Sequence, residues 1–171
     1  MNNSYLRFIK ESDLPIVLAW RNSEHVRKHM YNDAKISMED HIQWFHKMEQ
    51  DDKHFVFIYI QNNVPLGLVQ LTNIERRFDR LYWGFYIGDK KAPRGSGTEM
   101  GILALNKIFT DFSINKVCAE VVETNQQSMA FHEKLGFKQE GLFQQHIKKN
   151  GKYVNVIPYA LFKEEWRGVV K

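Results

Sequence analysis

Cysteine and long hydrophobic runs are scarce in this chain. Cys118 is the single cysteine among 171 residues, so no disulfide can form within the chain. The longest apolar runs, residues 15–20 and 55–60, are far shorter than the roughly 18 residues of a membrane-spanning helix. The first residues also lack the apolar segment of a secretory signal. We therefore expect a cytoplasmic protein that does not cross a membrane.

Neither sign of charge dominates, and no low-complexity or Pro/Gly-rich segment divides the chain. The 24 basic residues exceed the 20 acidic residues only slightly and are spread along the sequence. Nucleic-acid-binding domains usually have a concentrated basic face, so we expect no nucleic-acid partner, although a small polyanionic ligand would suit the excess. With 43% hydrophobic residues the chain can bury a sizeable core, and its length favours one domain over residues 1–171.

Two residue types that often carry chemistry predict no site here. The seven histidines show no paired spacing with carboxylates that would make a zinc site, so no metal is expected. Cys118 lies between apolar neighbours in a predicted strand, where a cysteine is usually an inert core residue.

The hydrophobic pattern alternates between strands and helices along the chain. Strands are predicted at residues 5–9, 55–60, 64–73, 80–88, 116–122, 137–145 and 153–162. Helices are predicted at residues 11–22, 24–31, 37–50, 100–108 and 126–135. Ser12 and Ser37 are candidate N-caps, and Gly136 is a candidate left-handed C-cap. The pattern indicates an α+β protein built around a mixed sheet.

A glycine-rich loop lies between a predicted strand and a predicted helix. Its residues are Arg94, Gly95, Ser96, Gly97 and Thr98. Glycines let backbone amides approach a ligand and the helix N-terminus adds partial positive charge, so this loop would suit a pyrophosphate. An ordinary turn before a helix would use the same glycines. Met100 occupies the last glycine position of the dinucleotide fingerprint, which the loop therefore does not satisfy.

A second element follows the loop at residues 125–137 and reads Asn-Gln-Gln-Ser-Met-Ala-Phe-His-Glu-Lys-Leu-Gly-Phe. It resembles the Asn-x-x-Ser/Ala and Tyr-Glu-Lys-x-Gly-Phe pattern of the GNAT superfamily of acetyl-CoA-dependent N-acetyltransferases. In that superfamily the element likewise follows the acetyl-CoA loop. The resemblance implies the GNAT fold, an α+β (α/β) architecture with a central mixed, mostly antiparallel, twisted sheet of about seven strands flanked by helices.

The N-terminal part of the chain narrows the resemblance. Trp20-Arg21-Asn22, with Val26-Arg27 and Met30, is similar to the branch that includes ribosomal-protein N-terminal acetyltransferases. Within this branch the chain is most similar to the N-acetyltransferases of pseudaminic acid biosynthesis. The pieces that match are residues 21–22, 30–31, 41–45, 120–125, 130–134 and 140–141.

This closer resemblance implies a particular reaction. The enzyme would transfer an acetyl group from acetyl-CoA to the 4-amino group of UDP-4-amino-4,6-dideoxy-N-acetyl-beta-L-altrosamine, by direct attack of the amine on the thioester. The product would serve the glycosylation of flagellin or a surface polysaccharide. The alternatives are acetylation of a protein N-terminus, such as that of a ribosomal protein, acetylation of a polyamine, and a non-catalytic acyl-CoA-binding domain.

The resemblance also implies where acetyl-CoA would lie. Its cleft would open where the strand at residues 80–88 separates from the strand at residues 116–122. The residues implied to hold it, beside the loop at residues 94–98, are Tyr86, Ile87, Gly88, Asn125 and Ser128. A backbone N–H near Ile87 would polarise the thioester carbonyl.

Two residues depart from the family pattern. Glu99 stands where the acetyl-CoA loop usually has a second small residue, so the conformation of the loop near the phosphates is open at this point. His132 stands where the family commonly has the tyrosine that protonates the departing CoA thiolate. A histidine could donate from a neutral N–H or as imidazolium, so His132 is either the acid or a spectator.

Glu120 is the candidate general base. Along a strand it shares a face with Cys118 and Val122, whereas Glu123 points to the opposite face or lies in the loop. A solvated or salt-bridged carboxylate is the alternative reading of Glu120. By resemblance, the acceptor pocket would be lined by Met30, Tyr31, His41 and Thr72. Each of these alone would otherwise be read as a packing or surface residue.

The expected partners are small molecules, acetyl-CoA and the UDP-amino sugar. No nucleic acid and no membrane are expected as partners. A second copy of the chain is a further candidate, because the predicted strand at residues 153–162 is apolar and aromatic and would help to form a sheet across a homodimer.

Overall fold

The computed structural model describes residues 3–168, which fold around one eight-stranded sheet. The strands are β1 (Ser4–Phe8), β2 (Phe55–Gln61), β3 (Val64–Glu75), β4 (Arg80–Ile87), β5 (Lys116–Val122), β6 (Lys138–Gln139), β7 (Phe143–Lys149) and β8 (Lys152–Phe162). The helices are α1 (Leu14–Asn22), α2 (Glu24–Arg27), α3 (Met38–Glu49), α4 (Ser96–Asp111) and α5 (Gln126–Lys134). Short 3-10 turns cover Glu11–Asp13, Arg76–Phe78 and Lys163–Glu165.

The sheet runs in the order β1-β2-β3-β4-β5-β8-β6, and β7 also pairs with β8. Every pair in it is antiparallel except β4 and β5, which are parallel. The predicted mixed, mostly antiparallel α+β architecture is therefore confirmed.

Helices cover both faces of the sheet and divide the core in two. On one face α4 and the strands pack around Met100, Leu105 and Ile108, all nearly inaccessible to solvent. On the other face α1 and α3 pack against β2 through residues such as Val17, Phe45 and Ile58. Because each face is buried by hydrophobic contact, the two helical layers hold the sheet between them.

Local sequence signals account for several element ends. Asn62 and Asn63 both have positive φ, the conformation that a two-residue hairpin between β2 and β3 needs. The predicted Ser37 cap is confirmed, because its side chain accepts a hydrogen bond from Asp40 N at 3.1 Å. The predicted Ser12 cap is wrong: Ser12 lies inside a 3-10 turn that begins at Glu11, and Asp13, the last residue of that turn, accepts from Lys10 N at 2.8 Å.

The C-terminal strands differ from the prediction. Residues 137–145 do not form one strand, because the chain breaks between β6 and β7, and β7 continues into a hairpin whose turn is Asn150-Gly151. The last strand, β8, lies inside the sheet, with β5 on one side and β6 and β7 on the other. Residues 156–162 of this strand pair with β5 and residues 159–160 also pair with β6, so these parts offer no edge to a second copy, and the predicted homodimer stays a prediction.

Candidate active site

A cleft opens in the sheet where the only parallel pair of strands described here separates. β4 and β5 pair over three residues, the last pair being Tyr82 and Cys118, and then diverge. The cleft between them has a volume of about 1080 Å³ and is lined by residues of both strands, of α5 and of the loop before α4. It lies where the sequence predicts the acetyl-CoA cleft.

The open edge of β4 presents a backbone donor to this cleft. Gly88 N donates to Leu66 O at 2.9 Å, toward β3. Because consecutive N–H groups of a strand point to opposite edges, the N–H of Ile87 points toward the gap left by β5. The predicted donor near Ile87 therefore has a suitable direction.

Gly88 itself does not have the predicted role. Both of its backbone groups have partners within the protein, because its N–H donates to Leu66 and its carbonyl oxygen lies 3.1 Å from His25 Nε2. A Cβ at this position would lie 2.2 Å from the ring of Trp20. Gly88 thus serves the close packing of β4 against α1, and its backbone is not free for pantetheine.

The N-terminus of α4 offers free amides for an anion. Gly95, the N-cap, has φ of 94° and no heavy atom within 4 Å of a Cβ built on it. Within residues 3–168, the N–H groups of Gly97 and Thr98 have no hydrogen-bond partner. Ser96 is turned inward, and its hydroxyl donates to Pro93 O at 2.7 Å. The loop therefore fits a pyrophosphate through backbone amides, with Arg94 exposed beside it.

Glu99 does not disturb this loop. Its carboxylate turns toward the sheet and accepts hydrogen bonds from Tyr59 Oη at 2.9 Å and Gln61 Nε2 at 2.8 Å. Burial, together with the neighbouring carboxylate, raises the pKa of Tyr59 to about 12, so the tyrosine stays a donor. The side chain of Glu99, which departs from the family pattern, thus lies between α4 and β2 and leaves the loop unobstructed.

The start of α5 forms another wall of the cleft. Asn125 caps the helix, its Oδ1 accepting from Ser128 N at 3.1 Å. Asn125 and Ser128 both line the cleft, as expected for residues near the cofactor. Because this hydrogen bond uses the side-chain oxygen of Asn125, the structural role of Asn125 is to fix where α5 begins.

His132 is a buried, neutral side chain with both ring nitrogens in hydrogen bonds. Trp83 Nε1 can only donate, so His132 Nε2, at 3.2 Å, accepts. His132 Nδ1 then carries the proton and donates to Ser128 O at 2.7 Å. Burial lowers the pKa of His132 to about 4. The candidate role as acid is not supported, because the only N–H of the ring is bound to the backbone and imidazolium is scarce at neutral pH.

This environment predicts a pH-dependent contribution of His132 to stability. Its pKa is lower in the folded protein, about 4, than its ordinary 6.5, so acid favours the unfolded state as pH falls from about 6.5 toward 4. From pH 7 to pH 4.5, the unfolding free energy of the native protein should fall by roughly 2 kcal/mol more than that of His132→Gln. Urea unfolding at the two pH values measures this. The same pH dependence in both proteins would contradict the assignment.

Glu120 and Tyr31 form a pair across the cleft. Glu120 projects from β5, and Tyr31 Oη donates to its Oε2 at 2.6 Å. Partial burial and this carboxylate raise the pKa of Tyr31, which therefore remains a hydrogen-bond donor. Glu123 is engaged elsewhere, accepting from the backbone and side-chain nitrogens of Asn155 at 2.9 and 3.0 Å. Of these two carboxylates, only Glu120 lines the cleft.

A second pocket of about 400 Å³ adjoins the cleft on the side of α1 and α3. The two cavities share the lining residues Arg21, Met30, Asn32, Leu68, Gln70 and Tyr86. His41 lines only the second pocket, where it is 4% exposed and stacks on Trp44 with ring centroids 5.2 Å apart. Tyr31 and Thr72 line the cleft. The four predicted acceptor residues are therefore divided between two connected cavities.

The charged lining of the two cavities is mixed, with a small cationic excess. The cations are Arg21, Lys28, Lys35 and Lys90. The carboxylates are Asp40, Asp89 and Glu120, and they come from three different parts of the chain. The carboxylates therefore do not form one cluster within a single element.

The match to known proteins identifies the family. Residues 4–138 match the acetyltransferase (GNAT) domain. The chain belongs to the GNAT acetyltransferase family. This GNAT enzyme is 29% identical over 122 residues to the SPbeta prophage-derived N-acetyltransferase YokL of Bacillus subtilis (strain 168), covering 70% of this chain and 67% of YokL.

Two further proteins are similar to this GNAT enzyme. It is 20% identical over 129 residues to the acetyltransferase PseH of Campylobacter jejuni (strain 81-176), covering 75% of this chain and 79% of PseH. In structure it resembles the spermidine N-acetyltransferase from Vibrio cholerae in complex with CoA and spermine. The TM-score is 0.89 at 20% identity, with 95% of this chain and 96% of the other covered.

The enzyme is thus an N-acetyltransferase that uses acetyl-CoA. Acetyl-CoA supplies the acetyl group as a thioester. Residues 3–168 contain no cluster of three or more His, Cys, Asp or Glu side chains that could hold a metal ion. No helix in the described part of the chain is long and apolar enough to span a membrane.

Several cavity residues are absent from the sequence-based prediction of the site. They are Gln70, Tyr82 and Trp83 on the strands, Lys35 before α3, and Trp44 on α3. Arg21 and Trp44 belong to stretches that carry the family resemblance, but the resemblance assigned neither residue a role in the site. The strand residues had no such signal, because alternation along a strand does not tell which face will border a cavity.

Proposed function

We propose that the acceptor is the 4-amino group of a UDP-linked amino sugar, as the resemblance to the enzymes of pseudaminic acid biosynthesis implies. One observation carries the proposal: the pocket beside Glu120 and Tyr31 combines aromatic rings with cations. Trp44 and Tyr86 provide the rings, and Arg21 and Lys35 provide the positive charge. A uridine diphosphate needs an aromatic surface for its base and cations for its phosphates.

The two alternative acceptors fit less well. A polyamine is multiply cationic and would need several carboxylates close together, whereas the second pocket has one carboxylate, Asp40, beside two cations, Arg21 and Lys35. The likeness to a spermidine N-acetyltransferase supports the fold and does not decide the acceptor. A protein N-terminus would need an open groove, whereas Tyr31 and Glu120 bridge the cleft at this point.

In this proposal the chain's own groups handle the proton and the developing charge. Glu120 accepts the proton that the amine loses as it attacks, directly or through a water. The Ile87 N–H donates a hydrogen bond to the carbonyl oxygen of the thioester, where negative charge develops. Since the N–H of His132 is bound to the backbone and the hydroxyl of Tyr31 is bound to Glu120, protonation of the departing thiolate falls to water or to Tyr82, which lines the cleft where the strands diverge.

The residues for the co-substrate are part of the same proposal. The amides of Gly97 and Thr98 would hold the pyrophosphate, with Arg94 at the rim, and the open edge of β4 would pair with the pantetheine. We also propose that the enzyme is cytoplasmic and that residues 1–171 form a single domain. Its product would serve glycosylation.

Lys35→Gln tests the acceptor. Lys35 is exposed at the second pocket and forms no hydrogen bond or ion pair within the described residues, so its removal should leave the fold intact. We expect KM for the UDP-amino sugar to rise about fivefold, because one cation near the phosphates is lost, while KM for acetyl-CoA stays constant. Steady-state kinetics measures both constants.

Lys47→Gln is the matched control, because Lys47 is an exposed residue of α3 outside both cavities. It should leave both constants unchanged. A fall in the KM for spermidine with Lys35→Gln, without activity on the nucleotide sugar, would instead favour a polyamine acceptor.

A further inference from the structure

The segment at residues 28–33 crosses the mouth of the cleft without regular secondary structure. It follows α2 and carries Met30 and Tyr31, two of the residues that line the cleft. Main-chain turn bonds from Lys28, His29 and Met30 to carbonyls of α2 hold its first residues, and side chains bind its own carbonyl groups. Arg21 donates to Asn32 O at 2.5 Å and Arg27 donates to Asp33 O at 3.0 Å.

These two arginines anchor the segment to the helices that precede it. Both come from the α1–α2 region, close in sequence and on the same side of the cleft. They therefore hold one end of the segment to its own neighbours and do not connect it to the half of the sheet that contains β5 and β8.

Lys149 supplies that connection. It lies at the end of β7, beside β8, and its Nζ donates to Lys28 O at 2.6 Å and to Met30 O at 2.7 Å. Two of the three N–H donors of the ammonium thus bind carbonyls that would accept main-chain hydrogen bonds if the helix continued. Hydrogen bonds from a charged donor are stronger than neutral ones, so this contact fixes the main chain immediately before Tyr31.

The position of Tyr31 matters because its hydroxyl binds Glu120. Tyr31 follows directly after a carbonyl that Lys149 holds, and its Oη lies 2.6 Å from Glu120 Oε2 on β5. We propose that Lys149 is a positioning residue for acetyl transfer, which holds the segment at residues 28–33 across the cleft so that Tyr31 meets Glu120. The proposal rests on the function proposed above for Glu120.

The test is Lys149→Met in the full chain, with two readouts. Methionine keeps most of the side chain and removes the ammonium. Hydrogen exchange at short labelling times should become several-fold faster in the peptide that covers residues 28–33. With the acceptor that wild-type enzyme acetylates, kcat/KM should fall about tenfold, while KM for acetyl-CoA should remain unchanged.

Lys152→Met is the matched control, because Lys152 faces Lys149 across the hairpin and is exposed. It should change neither readout, and Lys149→Arg should restore part of the activity, since arginine keeps a charged donor. Unchanged exchange in Lys149→Met would overturn the proposal, and so would faster exchange with unchanged acceptor kinetics. A wrong acceptor would be recognised earlier, in the wild-type assays, so the two failures are distinguishable.

Discussion

Replacing Glu120 by glutamine is expected to lower kcat/KM for the acceptor about 100-fold, the lower end of the usual contribution of a general base. Glutamine keeps the size of the side chain and an oxygen that can accept from Tyr31, so the fold of the cleft should persist. The variant can no longer take a proton from the amine. The pH dependence of its rate should also differ from that of the native enzyme. Acetyl-CoA affinity, measured by calorimetry, should stay within about twofold.

Glu140→Gln provides the control for this variant. Glu140 is an exposed carboxylate that pairs with Lys116 outside the cleft, and such surface pairs contribute little to stability. Its activity should match that of the native enzyme. A pH–rate profile of Glu120→Gln identical to that of the native enzyme would remove Glu120 from the role of base.

Adding a methyl group at Gly88 is expected to give the largest loss of stability. A Cβ there would meet the Trp20 side chain at 2.2 Å, and Trp20 is 6% exposed between α1 and the sheet. Because neither β4 nor α1 can retreat without opening the core, Gly88→Ala should destabilise the protein by about 3 kcal/mol. For a chain of this size that corresponds to a fall in Tm of roughly 6 to 12 °C, measured by calorimetry.

Gly141→Ala is the matched substitution. A Cβ at Gly141 would lie 3.7 Å from Pro158 Cγ, an ordinary van der Waals contact. Its Tm should stay within about 2 °C of the native value. If Gly88→Ala behaved like Gly141→Ala, the packing of Trp20 against β4 would not be as tight as described.

Elements with strong local signals could be predicted from the sequence. The hairpin at Asn62-Asn63 and the helix capped by Ser37 both depend on a few adjacent residues, and both are found. Asn150-Gly151 carries an equally strong hairpin signal, but the prediction passed over it and left β7 incomplete. Helix α2 ends at Arg27, earlier than predicted, because Lys149, distant in sequence, binds the carbonyls of Lys28 and Met30 that follow.

The same distinction applies to the site. The glycine-rich loop at Gly95 and the start of α5 at Asn125 are local motifs, so sequence and family pattern locate them. The contacts of Tyr31 with Glu120 and of Lys149 with Met30 join residues 89 and 119 positions apart. No local pattern predicts such pairs, since the packing of the two halves of the sheet decides them.

His132 illustrates how environment determines a role. A histidine in a tyrosine position suggests a substitute acid when only residue types are compared. In the fold, Trp83 donates to its Nε2 and aromatic rings, among them Phe137 and Tyr159, surround it. Removal from water lowers the pKa of His132 and favours the neutral ring. Its tautomer and charge follow from these tertiary contacts.

The most direct measurement is CoA-thiol release from acetyl-CoA with three acceptors at equal concentration: the UDP-4-amino sugar, an N-terminal peptide and spermidine. The pocket of Arg21, Lys35, Trp44 and Tyr86 predicts release with the nucleotide sugar alone. Mass spectrometry should then find that sugar heavier by one acetyl group. Release with the peptide or spermidine and none with the nucleotide sugar would contradict the proposed acceptor.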